Sequence, residues 1–324
     1  MSKIINRLAL GVLAATGVPS FALADGPSAI VEKEVIAPAP SKGKLTIRGG
    51  YSSSSSAYPF AVLDVDLLDS AYRVYESEYG TGHFGHLAYS HDSLFGAFGG
   101  EVSFSFNQLS NDDRTPHSDA ADIYDVISIS HEDGMEGAET ANETQFSQFR
   151  LMATYTHQAS GFQLLGGLGA VDFSSDSEGQ MFLPGYYSRQ YRSNDYKGHG
   201  LVIGARKAFS VSQNVQLQLE GFGGAYTGDR NLKIRDNYDT YPDSFAKENE
   251  QTVFSLDLSA SVAMPMERVV PGGLFEFGVN YTQLFNVIDT SNYNSHHLVD
   301  YKRSGSVEDD VDALSLFFGL QIPL

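Results

Sequence analysis

The end of this chain alternates strictly between two kinds of side chain. Leu314, Leu316, Phe318, Leu320, Ile322 and Leu324 are interleaved with Ala313, Ser315, Phe317, Gly319 and Gln321. A period of two is the mark of a β-strand with one apolar face and one polar or small face. The pattern recurs with Phe254, Leu256, Leu258, Ala260, Val262 and Met264 against Val253, Ser255, Asp257, Ser259 and Ser261. It recurs again with Phe275, Phe277, Val279 and Tyr281 against Glu276, Gly278, Asn280 and Thr282, and with Val215, Leu217 and Leu219 against Gln216, Gln218 and Glu220. Strands of soluble domains usually hold about five or six residues. Tilted strands that cross a bilayer hold about 9–11. The long alternating runs therefore predict an all-β chain, a transmembrane antiparallel up-and-down β-barrel.

The charges support that reading. Arg48, Glu101, Arg150, Arg206, Glu220, Asp257 and Glu276 all fall opposite the apolar positions of their strands. In a soluble sandwich those faces would be the wet exterior. In a membrane barrel the apolar faces meet lipid, and the seven charges become candidates for the lumen. Short connections at 91–93, 158–160, 210–213 and 266–273 alternate with long polar segments near 54–82, 109–144, 176–197, 228–249 and 287–310. Brief periplasmic turns and long outside loops have this rhythm. It yields about ten strands near 44–53, 83–90, 94–108, 145–157, 161–174, 198–209, 214–227, 250–265, 273–286 and 311–324, with both ends on the periplasmic side. The count is bracketed by eight and twelve. In particular, Leu63, Val65 and Leu67 alternate with Asp64 and Asp66, so a further hairpin there would give twelve.

The N-terminal segment fits export. Lys3 and Arg7 precede an apolar stretch over 8–15, and Ala22-Leu23-Ala24 has the small-x-small form of a cleavage site. Residues 1–24 are thus expected to be a signal peptide. Residues 25–43, with Pro38 and Pro40, read as a periplasmic leader, and 44–324 as the barrel. Cysteine is absent, which rules out disulfides and thiolate metal sites. A net charge of −19 argues against nucleic acid as a partner. The expected surroundings are outer-membrane lipid and lipopolysaccharide, with the barrel-assembly machinery as a folding partner. Two features depart from common barrels. The last strand ends in Pro323-Leu324 rather than an aromatic residue, and without Trp the interfacial girdles must come from Tyr and Phe.

Residues 195–206 (DYKGHGLVIGAR) followed by 215–225 (VQLQLEGFGGA) resemble the central hairpin of the Legionella-type pore-forming major outer-membrane protein family. Residues 163–173 (QLLGGLGAVDF) resemble a preceding strand of that family, and 273–286 (GLFEFGVNYTQLFN) its penultimate strand. The resemblance covers roughly 145–324. It implies an abundant surface barrel that forms pores, and it implies no catalytic residues and no cofactor.

Enzymatic chemistry is not legible. Asp64 and Asp66 have the look of the paired aspartates of an omptin-like protease, but the partner Asp-x-His motif is missing. His83 and His86 are three apart, which on a strand puts them on opposite faces and disfavours a shared metal. Segment 109–144 holds ten acidic residues against Arg114. The plain reading is a hydrated loop; the sharper one is binding of calcium or magnesium, directly or as a bridge to lipopolysaccharide phosphates. The expected function is a narrow porin-like channel for small solutes or ions, because the family it resembles is pore-forming and the lumen face carries many small residues, among them Gly204, Ser255, Ser259, Gly278, Thr282, Ser315 and Gly319. The alternative is a structural or adhesive surface barrel with a sealed lumen, and an enzyme is the third class. Ten strands lie near the sealed end of the size range, since eight leave room only for side chains.

Overall fold

The computed structural model describes residues 43–54, 57–66, 71–78, 80–116, 122–125, 131–132, 137–157, 159–183, 186–212, 214–238, 241–288 and 310–324. The expected signal peptide and leader lie outside the described residues. In chain order the strands are β1 (Lys44–Ser53), β2 (Ala57–Asp66), β3 (Ala71–Glu78), β4 (Thr81–Phe95), β5 (Phe98–Pro116), β6 (Asp122–Asp125), β7 (His131–Glu132), β8 (Gly137–His157), β9 (Phe162–Leu183), β10 (Tyr186–Ser212), β11 (Val215–Tyr238), β12 (Tyr241–Pro265), β13 (Leu274–Phe285) and β14 (Val311–Pro323). No helix occurs among the described residues.

Ten of these strands close into an antiparallel barrel in the order β1-β14-β13-β12-β11-β10-β9-β8-β5-β4. The seam is made by β1, which pairs with β14 from Lys44↔Pro323 to Ser53↔Leu314 and with β4 from Lys44↔Ser90 to Ser53↔Thr81. The added hairpin considered for the segment around Leu63 does form, as β2 paired with β3. It joins β6 and β7 in a separate four-stranded sheet, so the barrel keeps ten strands.

The alternation of the sequence becomes an inside and an outside. Along β14, Leu314, Leu316 and Phe318 are 43%, 53% and 59% exposed, while Ala313, Ser315 and Phe317 between them are fully buried. Leu201 and Ile203 on β10 and Leu151 on β8 continue the same exposed apolar belt. Each large aliphatic side chain left in water forfeits about 1.5–3 kcal/mol relative to burial. An unbroken belt of them is stable only against an apolar medium.

Two features differ from the sequence expectation. The first short turn lies at Gly96-Ala97 rather than at 91–93. There β4 runs on through a register irregularity between His91 and Phe95, and Gly96 (φ 63°) supplies the left-handed residue that a two-residue hairpin turn demands. The second is larger. Segments 176–197 and 228–249, expected as outside loops, are the far ends of long hairpins. The β9–β10 ladder continues to Leu183↔Tyr186, and the β11–β12 ladder to Tyr238↔Tyr241. Much of 109–144 is likewise strand, since β5 and β8 stay paired from Phe98↔Tyr155 to Pro116↔Gly137. Beyond the apolar belt the outward positions are polar too, so the period-two signal fades although the strands persist. The six strands from β5 to β12 in the ring thus extend past β13, β14, β1 and β4 and continue as an open sheet.

Leu316 sits mid-belt on the outer face. Leu316→Arg is expected to lower stability in bilayers by about 2–4 kcal/mol, read as a loss of folded fraction in a urea titration. An unchanged midpoint would refute the assignment of inner and outer faces. Ser255→Arg is expected to be equally damaging, because Ser255 is enclosed in the barrel interior.

Candidate functional site

The ring order makes the lumenal side chains identifiable, because bonds between strands that are not neighbours must cross the interior. Arg48 on β1 binds Glu220 on β11 through Nη2–Oε1 at 2.7 Å and Glu276 on β13 through Nε–Oε2 at 2.8 Å. Glu220 also accepts from Arg206 on β10 at 3.2 Å, and Arg206 makes a two-pronged contact with Glu101 on β5 at 2.8 and 3.1 Å. The result is one continuous chain of charges, Glu276–Arg48–Glu220–Arg206–Glu101, strung between five strands. The remaining two charges form a second pair. Arg150 on β8 donates to Asp257 on β12 and to Gln148, and Asp257 also accepts from the Thr282 hydroxyl at 2.7 Å. The structure therefore brings together all seven residues singled out from the sequence, in two groups.

Alternation dictates the inward direction, and pairing makes the burial tolerable. A charge removed from water costs several kcal/mol unless partners replace its hydration. Here Glu276 is fully buried, while Arg48, Glu101, Arg150 and Asp257 are each less than a tenth exposed. Fork-shaped guanidinium groups suit this work, because one Arg can serve two carboxylates at fixed angles. Three arginines face four carboxylates, so the paired groups sum to one negative charge.

Apolar and neutral layers flank the charges. Phe317 lies under the Arg48 guanidinium at 5.1 Å from ring centre to Cζ, and Phe222 under that of Arg150 at 4.7 Å, a cation–π geometry. On the side of the short turns, Gln321 on β14 donates across to Gln218 on β11 at 2.8 Å. On the opposite side Ser52, Asn107 and Ser315 share hydrogen bonds of 2.7–3.3 Å. Beyond the Arg150 pair the interior is filled by Phe146, Phe173, Tyr196, Tyr226, Leu284 and Val311, with the Tyr196 hydroxyl bonded to the Tyr226 carbonyl at 2.8 Å.

The small lumenal residues do not leave the open space expected of them. A methyl group on Gly204 would collide with the Phe222 ring, one on Gly278 would come within 2.8 Å of Phe317, and one on Gly319 within 2.9 Å of Arg48. These glycines are the room into which neighbouring rings and the arginine fit. The cavity among Arg48, His86, Arg150, Glu220 and Asp257 measures about 20 Å³, room for a single water.

Sequence reasoning put Phe317 on the inner face of the last strand but not beneath Arg48, and it did not single out Phe222, whose inward direction follows from the parity of its strand. His83 and His86 do part to opposite faces: His83 is exposed, and His86 lines the small cavity beside Arg48. No cluster of three or more metal-ligating side chains occurs among the described residues. Of the acidic residues in 109–144, Asp112 and Glu143 lie on the outer face of strands β5 and β8 rather than in a loop; the side chains of Asp113 to Glu139 are outside the description. The side chains of Asp64 and Asp66 on β2 are likewise outside it.

Glu220 is the carboxylate shared by two arginines. Glu220→Ala is expected to destabilise the barrel by about 3–5 kcal/mol, because it leaves buried cations short of partners. The check is equilibrium unfolding in lipid or detergent. A loss below about 1 kcal/mol would mean that the charge chain does not hold the lumen together.

No family model matches the chain, and no curated protein matches it. Among solved structures, the outer membrane protease OmpT from Escherichia coli is similar with a TM-score of 0.48 and 11% identity, over 88% of this chain and 97% of that one. A major outer membrane protein from Thermus thermophilus gives a TM-score of 0.33 and 12% identity, over 87% and 99%. The Pseudomonas putida toluene transporter TodX gives 0.35 and 9%, over 88% and 91%. At these scores none of the three carries an argument about the chemistry of this chain.

Proposed function

We propose that this chain is an outer-membrane barrel of a bacterium whose lumen is sealed, and that it serves as a structural or adhesive surface protein. The observation that carries this reading is the lumenal chain Glu276–Arg48–Glu220–Arg206–Glu101, backed by the Arg150–Asp257 pair and the rings of Phe222 and Phe317. An ion crossing this layer must break paired charges and displace aromatic side chains. A conducting path needs water-lined, unsaturated charges instead. The membrane location is supported by the exposed apolar belt, together with the expected signal peptide.

The narrow pore implied by the family resemblance and by the small lumenal residues is the reading that this geometry disfavours. Its physical basis was unfilled space, and that space is taken by Phe222, Phe317 and Arg48. An enzymatic reading has no described constellation to rest on. The outer-membrane arrangement puts the short turns and both barrel ends in the periplasm, and the long hairpin tips outside.

Planar-bilayer recording tests the function. Protein whose folding is verified by a heat-dependent gel shift is expected to give no steady single-channel conductance. Removing obstructing groups from both layers together (Arg48→Ala with Glu220→Ala, and Phe222→Ala with Phe317→Ala) is expected to open a small one in variant protein that passes the same gel-shift check. Steady conductance from the wild type would return the pore to first place. Orientation has its own test. A protease site inserted at 239–240 is expected to be cut on intact cells and one at 213–214 to be protected; the reverse pattern would invert the topology.

A further inference from the structure

The extended strands β5 and β8 to β12 carry a groove on their outer face, the face that continues upward from the apolar belt. Its volume is about 790 Å³. Two outward rows build it. One runs Ser110–Glu143–Asp176–Ser193–Lys233–Ala246 across six strands, and the next runs Asp112–Ala141–Glu178–Tyr191–Arg235–Ser244. The charges are segregated. Carboxylates occupy the β5–β9 half, Arg192 lines the groove from its buried place on β10, and the two exposed cations, Lys233 and Arg235, stand on β11. Both cations are exposed, and neither has an ion pair with a described residue.

Below this groove, at the upper rim of the belt, is a notch of about 390 Å³. Phe104 and Phe149 border it at 44% and 47% exposure. His199 and Lys197 stand above them, Lys197 in an exposed pair with Asp172 at 3.2 Å. The outer wall thus presents an apolar notch, then a cationic rim, then a polar groove with a basic side.

Height selects the ligand. On β11 the last apolar outward residue is Ala225, and Lys233 follows eight residues later. At about 3.3 Å per residue and a tilt near 40°, Lys233 stands about 20 Å above the belt. The headgroup zone of a phospholipid leaflet extends only about 5–8 Å beyond its hydrocarbon. A phosphate at the height of Lys233 is therefore carried on a sugar chain. The carboxylates agree with this, since Glu143, Asp176 and Asp112 repel bare phosphate but accept hydrogen bonds from sugar hydroxyls.

We infer that this wall is the seat of a phosphorylated glycolipid of the outer leaflet, with its sugar head in the β5–β12 groove and a head phosphate on Lys233 and Arg235. An acyl chain lies along Phe104 and Phe149, and Lys197 and His199 face the phosphates nearest the membrane. The inference rests on the outer-membrane reading above and adds a ligand class and a site to it.

The test uses the full-length protein, folded in vesicles and verified by its heat-dependent gel shift. Binding is measured for lipopolysaccharide with a phosphorylated core, for the same glycolipid with its core phosphates removed, for its sugar-free lipid portion and for phosphatidylglycerol vesicles. Inorganic phosphate serves as a competitor. The expected result is a loss of about tenfold in affinity on removing the core phosphates, as two exposed ion pairs supply. Lys233→Glu with Arg235→Glu is expected to cause the same loss and to abolish the dependence on phosphate. Millimolar inorganic phosphate is expected not to displace the glycolipid. Wild-type affinity in the double variant, equal binding of the sugar-free lipid or of phosphatidylglycerol, or displacement by inorganic phosphate would each overturn the inference and leave the barrel reading intact. Failure of the wild type to fold in bilayers would instead overturn the membrane reading itself.

Discussion

Glu220 accepts from Arg48 across the lumen and from Arg206, its direct partner on the neighbouring strand, and the rest of the interior is arranged around that shared carboxylate. Its two guanidinium partners lead outward to Glu276 and Glu101, so five strands are tied across the lumen through ionic contacts. Backbone pairing fixes only neighbouring strands. The charge chain fixes distant ones, and it does so in an interior where an unmatched charge costs several kcal/mol. Such a network tolerates one arrangement. A one-residue slip of any strand would turn its charge to the apolar outside and strand its partners inside.

The same layer explains how a glycine-rich lumen face is compatible with a filled interior. Gly204, Gly278 and Gly319 sit beside Phe222, Phe317 and Arg48. Small and large residues interlock across adjacent strands, as close packing requires. Lumen volume therefore cannot be inferred from the small members of the set alone.

Much of this architecture was legible in the sequence because its solvent is heterogeneous. Where lipid touches one face and a polar interior the other, alternation is sharp, and the strands around Leu256, Phe277 and Leu316 could be placed closely. The inward direction of Arg48, Glu101, Arg150, Arg206, Glu220, Asp257 and Glu276 followed from the same parity. Their partnerships did not, because which charge meets which depends on the stagger of strands around the ring, and residues such as Arg150 and Asp257 are 107 positions apart. The extended hairpins were hidden for the opposite reason. At Ser175, Asp176, Arg192 and Ser193 both faces are polar, so hydrophobicity carries no period although the backbone ladder is continuous. The turn at Gly96 was misplaced because His91-Asp92-Ser93 has turn-like composition while lying in strand.

The pairing of β1 with β14 has a bearing on how such a molecule comes to be. The two strands that make the seam stand at opposite ends of the barrel sequence, from Lys44 paired with Pro323 to Ser53 paired with Leu314. Until the two meet, β1 lacks one neighbour and β14 another, and each offers a row of free amides and carbonyls to any passing chain. Closure is also the contact of greatest sequence separation in the ring, which makes it the slowest to find by chance. A barrel of this kind is accordingly most exposed to misassembly at the final step, when nearly all of its wall is ready and only its first and last strands remain apart.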